Sequence, residues 1–161
     1  MEPVNEHKIF EALTGKFDEK IVEHGLDKGD AVAIVAADAI HDVMAFLRDE
    51  FAFDMPIDIC GVDYLPRKPR FEVVYILHST TRNERIRLHV QLGGKSPQLA
   101  TVTDLYPVAD WLEREVWDMF GIVFTGHPNL KRILMYEPFE GHPLRRDYPI
   151  NKRQPLIGPQ N

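Results

Sequence analysis

The chain has 161 residues, 44% apolar and 27% charged, which fits one folded domain with at most an appendage and excludes wholesale disorder. Its 25 acidic and 19 basic side chains leave a net charge of −6, which argues against nucleic-acid binding through the overall field and leaves only a local basic patch. A single cysteine, Cys60, excludes a disulfide framework within the chain and any Cys-rich zinc or iron–sulfur site supplied by it alone.

Asn5–Leu13 sets Ile9, Phe10, Ala12 and Leu13 on one side and predicts a short helix stopped by Gly15. Strands are expected at Lys20–Glu23 and Ala31–Ala36, around a turn-like stretch from Gly25 to Asp30. Asp38 reads as the N-cap of a helix whose apolar set is Ile40, Val43, Met44 and Leu47, at i, i+3, i+4 and i+7. Ile57–Leu65 reads as a strand broken by Pro66-Arg67-Lys68-Pro69. Phe71–Ser79, apolar on both faces, reads as a central strand. Glu84–Leu92 alternates Ile86, Leu88, Val90 and Leu92 with polar residues, and pairs with it through Thr80–Asn83. Thr103 or Asp104 is expected to cap a last helix, with Pro107 in its first turn and Gly121 at its end. Hairpins in place of regular βαβ alternation predict an α+β fold, a mostly antiparallel sheet with helices on one face.

Composition changes at Gly121. Residues 122–161 carry six basic and three acidic side chains, a local +3, which leaves 13 basic and 22 acidic residues, −9, in residues 1–121. Six of the twelve prolines fall in those last forty residues. The expected organisation is therefore a domain, 1–121, followed by an extended, basic, Pro-rich C-terminal tail, 122–161. Such a segment cannot build its own core, so it should lie back on the acidic domain first and then cross onto a partner. No run approaches the ~18 apolar residues of a membrane span, and the N-terminus lacks the pattern of a targeting segment. A soluble, cytoplasmic chain is the expectation.

On the last helix, Val108, Trp111, Leu112, Val116 and Met119 form one stripe at 100° per residue, and Glu115 sits within it. A carboxylate buried there needs a partner. Glu115 is thus expected to be buried, either as a structural ion pair with Arg132, Arg145 or Arg146 or as a working acid. Trp117 points the opposite way, as an interface residue would. The turns Gly126-His127-Pro128 and Gly141-His142-Pro143 offer too few ligands for a zinc site. Nucleophilic catalysis has no motif, and Cys60 has no basic neighbour.

The run from Trp111 through Glu113-Arg114-Glu115, Trp117-Asp118, Gly121, Gly126-His127-Pro128 and Lys131-Arg132 to Leu134 resembles the signature of the 30 kDa subunit of respiratory complex I. Glu140-Gly141-His142-Pro143-Leu144-Arg145-Arg146-Asp147-Tyr148-Pro149 is similar to the family's next stretch. The resemblance implies an accessory or scaffold subunit in the peripheral arm of a proton-translocating NADH:quinone oxidoreductase. It would sit peripherally on the cytoplasmic side of the bacterial inner membrane and hold no cofactor and no catalytic residue itself. FMN and iron–sulfur clusters would reside in partner subunits, with the 49 kDa subunit and cluster-bearing quinone-site subunits as neighbours. It also implies that Glu113, Arg114, Glu115, Trp117, Asp118, Gly121, His127, Pro128, Lys131, Arg132, Gly141, Pro143, Leu144, Arg145, Arg146 and Asp147 serve the signature and the partner interface. The equivalent subunit of a membrane-bound hydrogenase or formate-oxidising complex shares that signature. A different class of function would be a small free-standing enzyme using Glu115, Asp118 and His127 as acid–base groups.

Overall fold

The computed structural model describes residues 6–155. A first helix, α1 (Glu6–Phe17), leads through a single 3₁₀ turn into the hairpin β1 (Ile21–Asp27) and β2 (Asp30–Val35). Helix α2 (Ile40–Phe51) follows, then β3 (Met55–Asp63), β4 (Phe71–Ser79) and β5 (Glu84–Leu92). The short strand β6 (Gln98–Ala100), helix α3 (Ala109–Phe120) and strand β7 (Val123–Thr125) complete the regular elements. Beyond β7 the described chain is an irregular strap.

The five-stranded sheet has the order β1-β2-β5-β4-β3. All neighbours are antiparallel except β2 and β5, which are parallel, so the sheet is mixed within an α+β fold. The alternation that marked β5 is the reason its Ile86, Leu88 and Val90 face one core with Val73, Tyr75 and Leu77 of β4. Ile9 and Leu13 of α1 join that core, as do Ile40, Val43, Met44 and Leu47 of α2 at the helical spacing read from the sequence.

Several boundaries differ from the sequence expectation. Gly15 does not stop α1, which continues to Phe17; the expected first residue, Asn5, lies outside the described residues. Gly25–Asp27 belongs to β1, and the turn shrinks to Lys28 and Gly29, both at positive φ. Asp38 does not cap α2; its carboxylate pairs with Lys20, and Ala39 occupies the cap position without a side-chain bond. Neither Thr103 nor Asp104 caps α3, whose cap position is Val108. β6 and β7 were too short to read, yet they pair in parallel on either side of α3. Ile122 and Phe124, just past Gly121, are consequently in the core.

Helix α3 runs beside β3 in the same direction. Ahead of the helix, Tyr106 Oη donates to Phe53 O at 2.8 Å; near its end, Val116 and Phe120 lie over Gly61, where a Cβ would come within 2.6 Å of the Phe120 ring. Glycine at 61 is what lets the helix approach the edge strand this closely.

Candidate functional site

The residues singled out from sequence converge on α3, but the helix buries two flanks instead of one. Ala109, Glu113 and Val116, at i, i+4 and i+7, face the sheet. Arg114, Trp117 and Asp118 lie under the strap. Between these flanks Val108, Trp111 and Glu115 are exposed. The expected stripe is thereby corrected: Glu115 is exposed and has no ion-pair partner among the described residues, Trp111 is 66% exposed, and the buried carboxylates of α3 are Glu113 and Asp118. Ranking residues by apolarity placed Trp111 inward; the strap's cover over Asp118 is a tertiary effect that a helical wheel cannot contain.

Asp118 is the fastening point. Its carboxylate accepts the backbone N–H groups of Ile133, Leu134 and Met135 at 3.1, 2.9 and 2.9 Å. Arg132 donates to the same carboxylate at 2.5 Å. Burial raises its pKa, but the N–H of Met135 and the Arg132 guanidinium outweigh burial and hold Asp118 below the usual carboxylate value. Arg132 directs its remaining donors to Phe139 O and Gly141 O and lies over the rings of Trp117 and Phe139. Arg114 reaches Lys131 O and Arg132 O, both at 3.1 Å. Trp117 is half-buried edge-on to His142, so strap residues of its own chain cover part of it.

The strap then closes the C-terminus of α3. His142 Nδ1 bonds Asp118 O at 3.0 Å, Leu144 N bonds Met119 O, and Arg145 Nε donates to Phe120 O at 2.5 Å. Three carbonyls that a helix end leaves open are thus satisfied, one of them by a cation at the negative end of the helix dipole. Gly121 stands at φ 71°, and a Cβ there would come within 2.5 Å of both Arg145 and His142. Further along, Arg146 N bonds Asp63, and Asp147 joins Arg70, which also grips Asp63 at 2.6 Å. The bond from Arg70, and those from the N–H groups of Arg146 and Leu65, outweigh burial and hold Asp63 far below the usual range. Gly141 sits at φ 99° against the Tyr148 ring, Pro143 is half-buried, and Pro128, Lys131 and Leu144 are exposed.

Glu113 makes a different arrangement, one that sequence reasoning did not single out as buried. Fully buried, it accepts Thr101 Oγ1 at 2.5 Å and Val102 N at 2.8 Å, and among the described residues no cation pairs with it. Burial outweighs those bonds and pushes its pKa up to about 7. The spacing Ala109, Glu113, Val116 was the available signal.

As an acid–base set, Glu115, Asp118 and His127 do not converge. Glu115 is in solvent, Asp118 is saturated by backbone donors, and His127 donates to Asp110 O and accepts Asn129 N. Burial and the adjacent Asp58 push the Cys60 thiol up to about 12, far from a reactive thiolate. Among the described residues no group of three or more His, Cys, Asp or Glu is placed to hold a metal ion, and no helix is long and apolar enough to cross a membrane.

Fold and site together define a small α+β domain whose last helix is clasped by its own basic strap. The chain belongs to the family described as the respiratory-chain NADH dehydrogenase 30 Kd subunit, which matches residues 33–154. The C-type subunit of NADH-quinone oxidoreductase from Roseiflexus sp. (strain RS-1) is 46% identical over 148 residues, covering 91% of this chain and 85% of that one. The same subunit of Trichlorobacter lovleyi is 43% identical over 155 residues, covering 94% and 96%. A trypsin-resistant fragment (1–134) of Nqo5 superposes with a TM-score of 0.65 at 34% identity, covering 77% of this chain and 98% of the fragment. A chain of the membrane-bound sulfane sulfur reductase, an archaeal respiratory membrane complex, shares the fold with a TM-score of 0.76 at 22% identity, over 90% and 86%.

Proposed function

We propose that this chain is an accessory subunit of the peripheral arm of NADH:quinone oxidoreductase, holding no cofactor and shaping the surface on which cluster-bearing subunits and the 49 kDa homologue assemble. Electrons would pass from NADH through FMN and the partners' iron–sulfur clusters to quinone, on the cytoplasmic face of the membrane, without touching this chain. The Asp118 clasp is the observation that carries the reading. It commits the chemistry-bearing residues of the signature to holding a strap, and that strap keeps Ile133, Leu134, Tyr136 and Leu144 turned outward. Apolar residues fixed at the surface by a buried charge are a docking device.

Affinity purification of the tagged chain from membranes tests this. Cluster-bearing subunits should be recovered with it in fixed ratio, and the isolated chain should oxidise no NADH. Recovery as a catalytically active monomer overturns the proposal.

A further inference from the structure

The two edges of the five-stranded sheet are finished differently. On β3, Pro56 and the register shift between Pro56 and Asp58 interrupt the outer backbone, which blunts that edge. On β1, Glu23 to Asp27 pair with β2 in unbroken register and without a proline. Beyond that ladder, the described residues give this stretch one further backbone bond, from Arg87 to Asp27 O at 2.9 Å. Its outward N–H and C=O groups are therefore open, and a row of such groups is matched by another extended backbone.

The side chains along this edge define what that backbone should carry. Glu23, Gly25 and Asp27 pair with Ile34, Val32 and Asp30, which alternate with the core residues Ala31, Ala33 and Val35. They consequently share the sheet face opposite that core. A cavity of about 200 Å³ lies against this hairpin, with Gly25, Leu26, Val32 and Ile34 in its lining. A Cβ on Gly25 would meet no atom within 4 Å, so the groove is open above the glycine. At the start of the strand Asp18, Glu19 and Glu23 are exposed, and no cation among the described residues pairs with them; Lys20 is taken by Asp38. Pairing of two copies about Gly25 would set Glu23 against Asp27 across the two-fold, which like charges oppose.

We propose that the outer edge of β1, from Glu23 to Asp27, accepts an extended segment of another subunit as a sixth strand. That segment carries an apolar side chain over Gly25, against Val32 and Ile34, and a lysine or arginine toward Glu23. This reading rests on the membership in the complex argued above. The strap bonds Asp63 of β3, so the added strand lies at the opposite edge of the sheet.

Gly25→Val tests it, because Gly25 has no positive φ, valine suits a strand, and its side chain fills the groove. The isolated variant should unfold at the parent's temperature or above it, yet its recovery with the purified complex should fall about tenfold. Glu23→Lys should likewise leave unfolding unchanged and lower recovery. In the unmodified complex, the amides of Glu23–Asp27 should exchange about tenfold more slowly than in the isolated chain. A photo-crosslinking residue in place of Leu26, which is 59% exposed on the same edge, should label an extended basic and apolar segment of another subunit. Parental recovery of Gly25→Val, unchanged exchange at these amides, or an adduct on a helix, on a second copy or within this chain overturns the added strand and leaves membership standing. Absence of the unmodified chain from the complex sinks both.

Discussion

Asp118 and Glu113 sit five residues apart on one helix, both fully buried, and their surroundings push them in opposite directions. Three N–H groups and a guanidinium stabilise the charge on Asp118. Asp118→Ala leaves those three N–H groups unpaired and takes its carboxylate from Arg132, and should cost about 3–5 kcal/mol, the usual result of orphaning a buried partner. Chemical denaturation measures the loss, and amide exchange should show Ile133–Met135 released. Because the folded value is depressed, this contribution is present above the ordinary 3.8 and disappears as pH falls through the lower folded value. Glu113 has the reverse sign. Its folded value, about 7, stands above the ordinary 4.5, so its contribution is complete below pH 4.5 and lost as pH rises through 7. Glu113→Gln, a neutral isostere, should therefore stabilise the chain at pH 8, by about 3 kcal/mol at most at ~1.4 kcal/mol per pH unit. That gain should vanish near pH 4.5. Parallel unfolding curves for variant and parent across that range would contradict it.

At the scale of elements, α3 and the strap act as one unit. Truncation before Arg145 removes the guanidinium on Phe120 O and the Asp147–Arg70 pair, leaving Asp63 with fewer donors. A loss of about 2–4 kcal/mol is expected from one helix-end cation and a partly buried ion-pair network. Truncation after Tyr148 removes contacts that are mostly exposed, such as Lys152–Glu140, and should change stability by about 1 kcal/mol or less. Equal losses in the two truncations would show that residues 145–148 contribute nothing to stability. The helices and long strands were legible because each carries its own periodicity: 3.6 in α2, 2 in β5. The caps were not, since Ala39 and Val108 begin helices without a side-chain bond. Three-residue strands such as β6 and β7 carry too little pattern to read; their pairing depends on α3 bringing them together.

For the whole molecule, the domain's −9 and the tail's +3 are brought together through a few buried carboxylates. If the strap's role is assembly, Asp118→Ala membranes should lose quinone reductase activity in proportion to the complex lost. Activity per assembled complex, measured on the purified fraction, should stay at the parental level; a fall in that ratio would assign this chain a part in the chemistry. The amino-acid sequence by itself determined the α+β class, the hairpin β4–β5, the α2 core and the density of the family signature, because each resides in local spacing or in a run of specific residues. Tertiary structure decided which carboxylate is buried. Glu115 was the local candidate, but burial on a helix depends on what covers it. Only the folded chain lays a strap over Asp118, closes the sheet side over Glu113, and leaves Glu115 beside Trp111 in water.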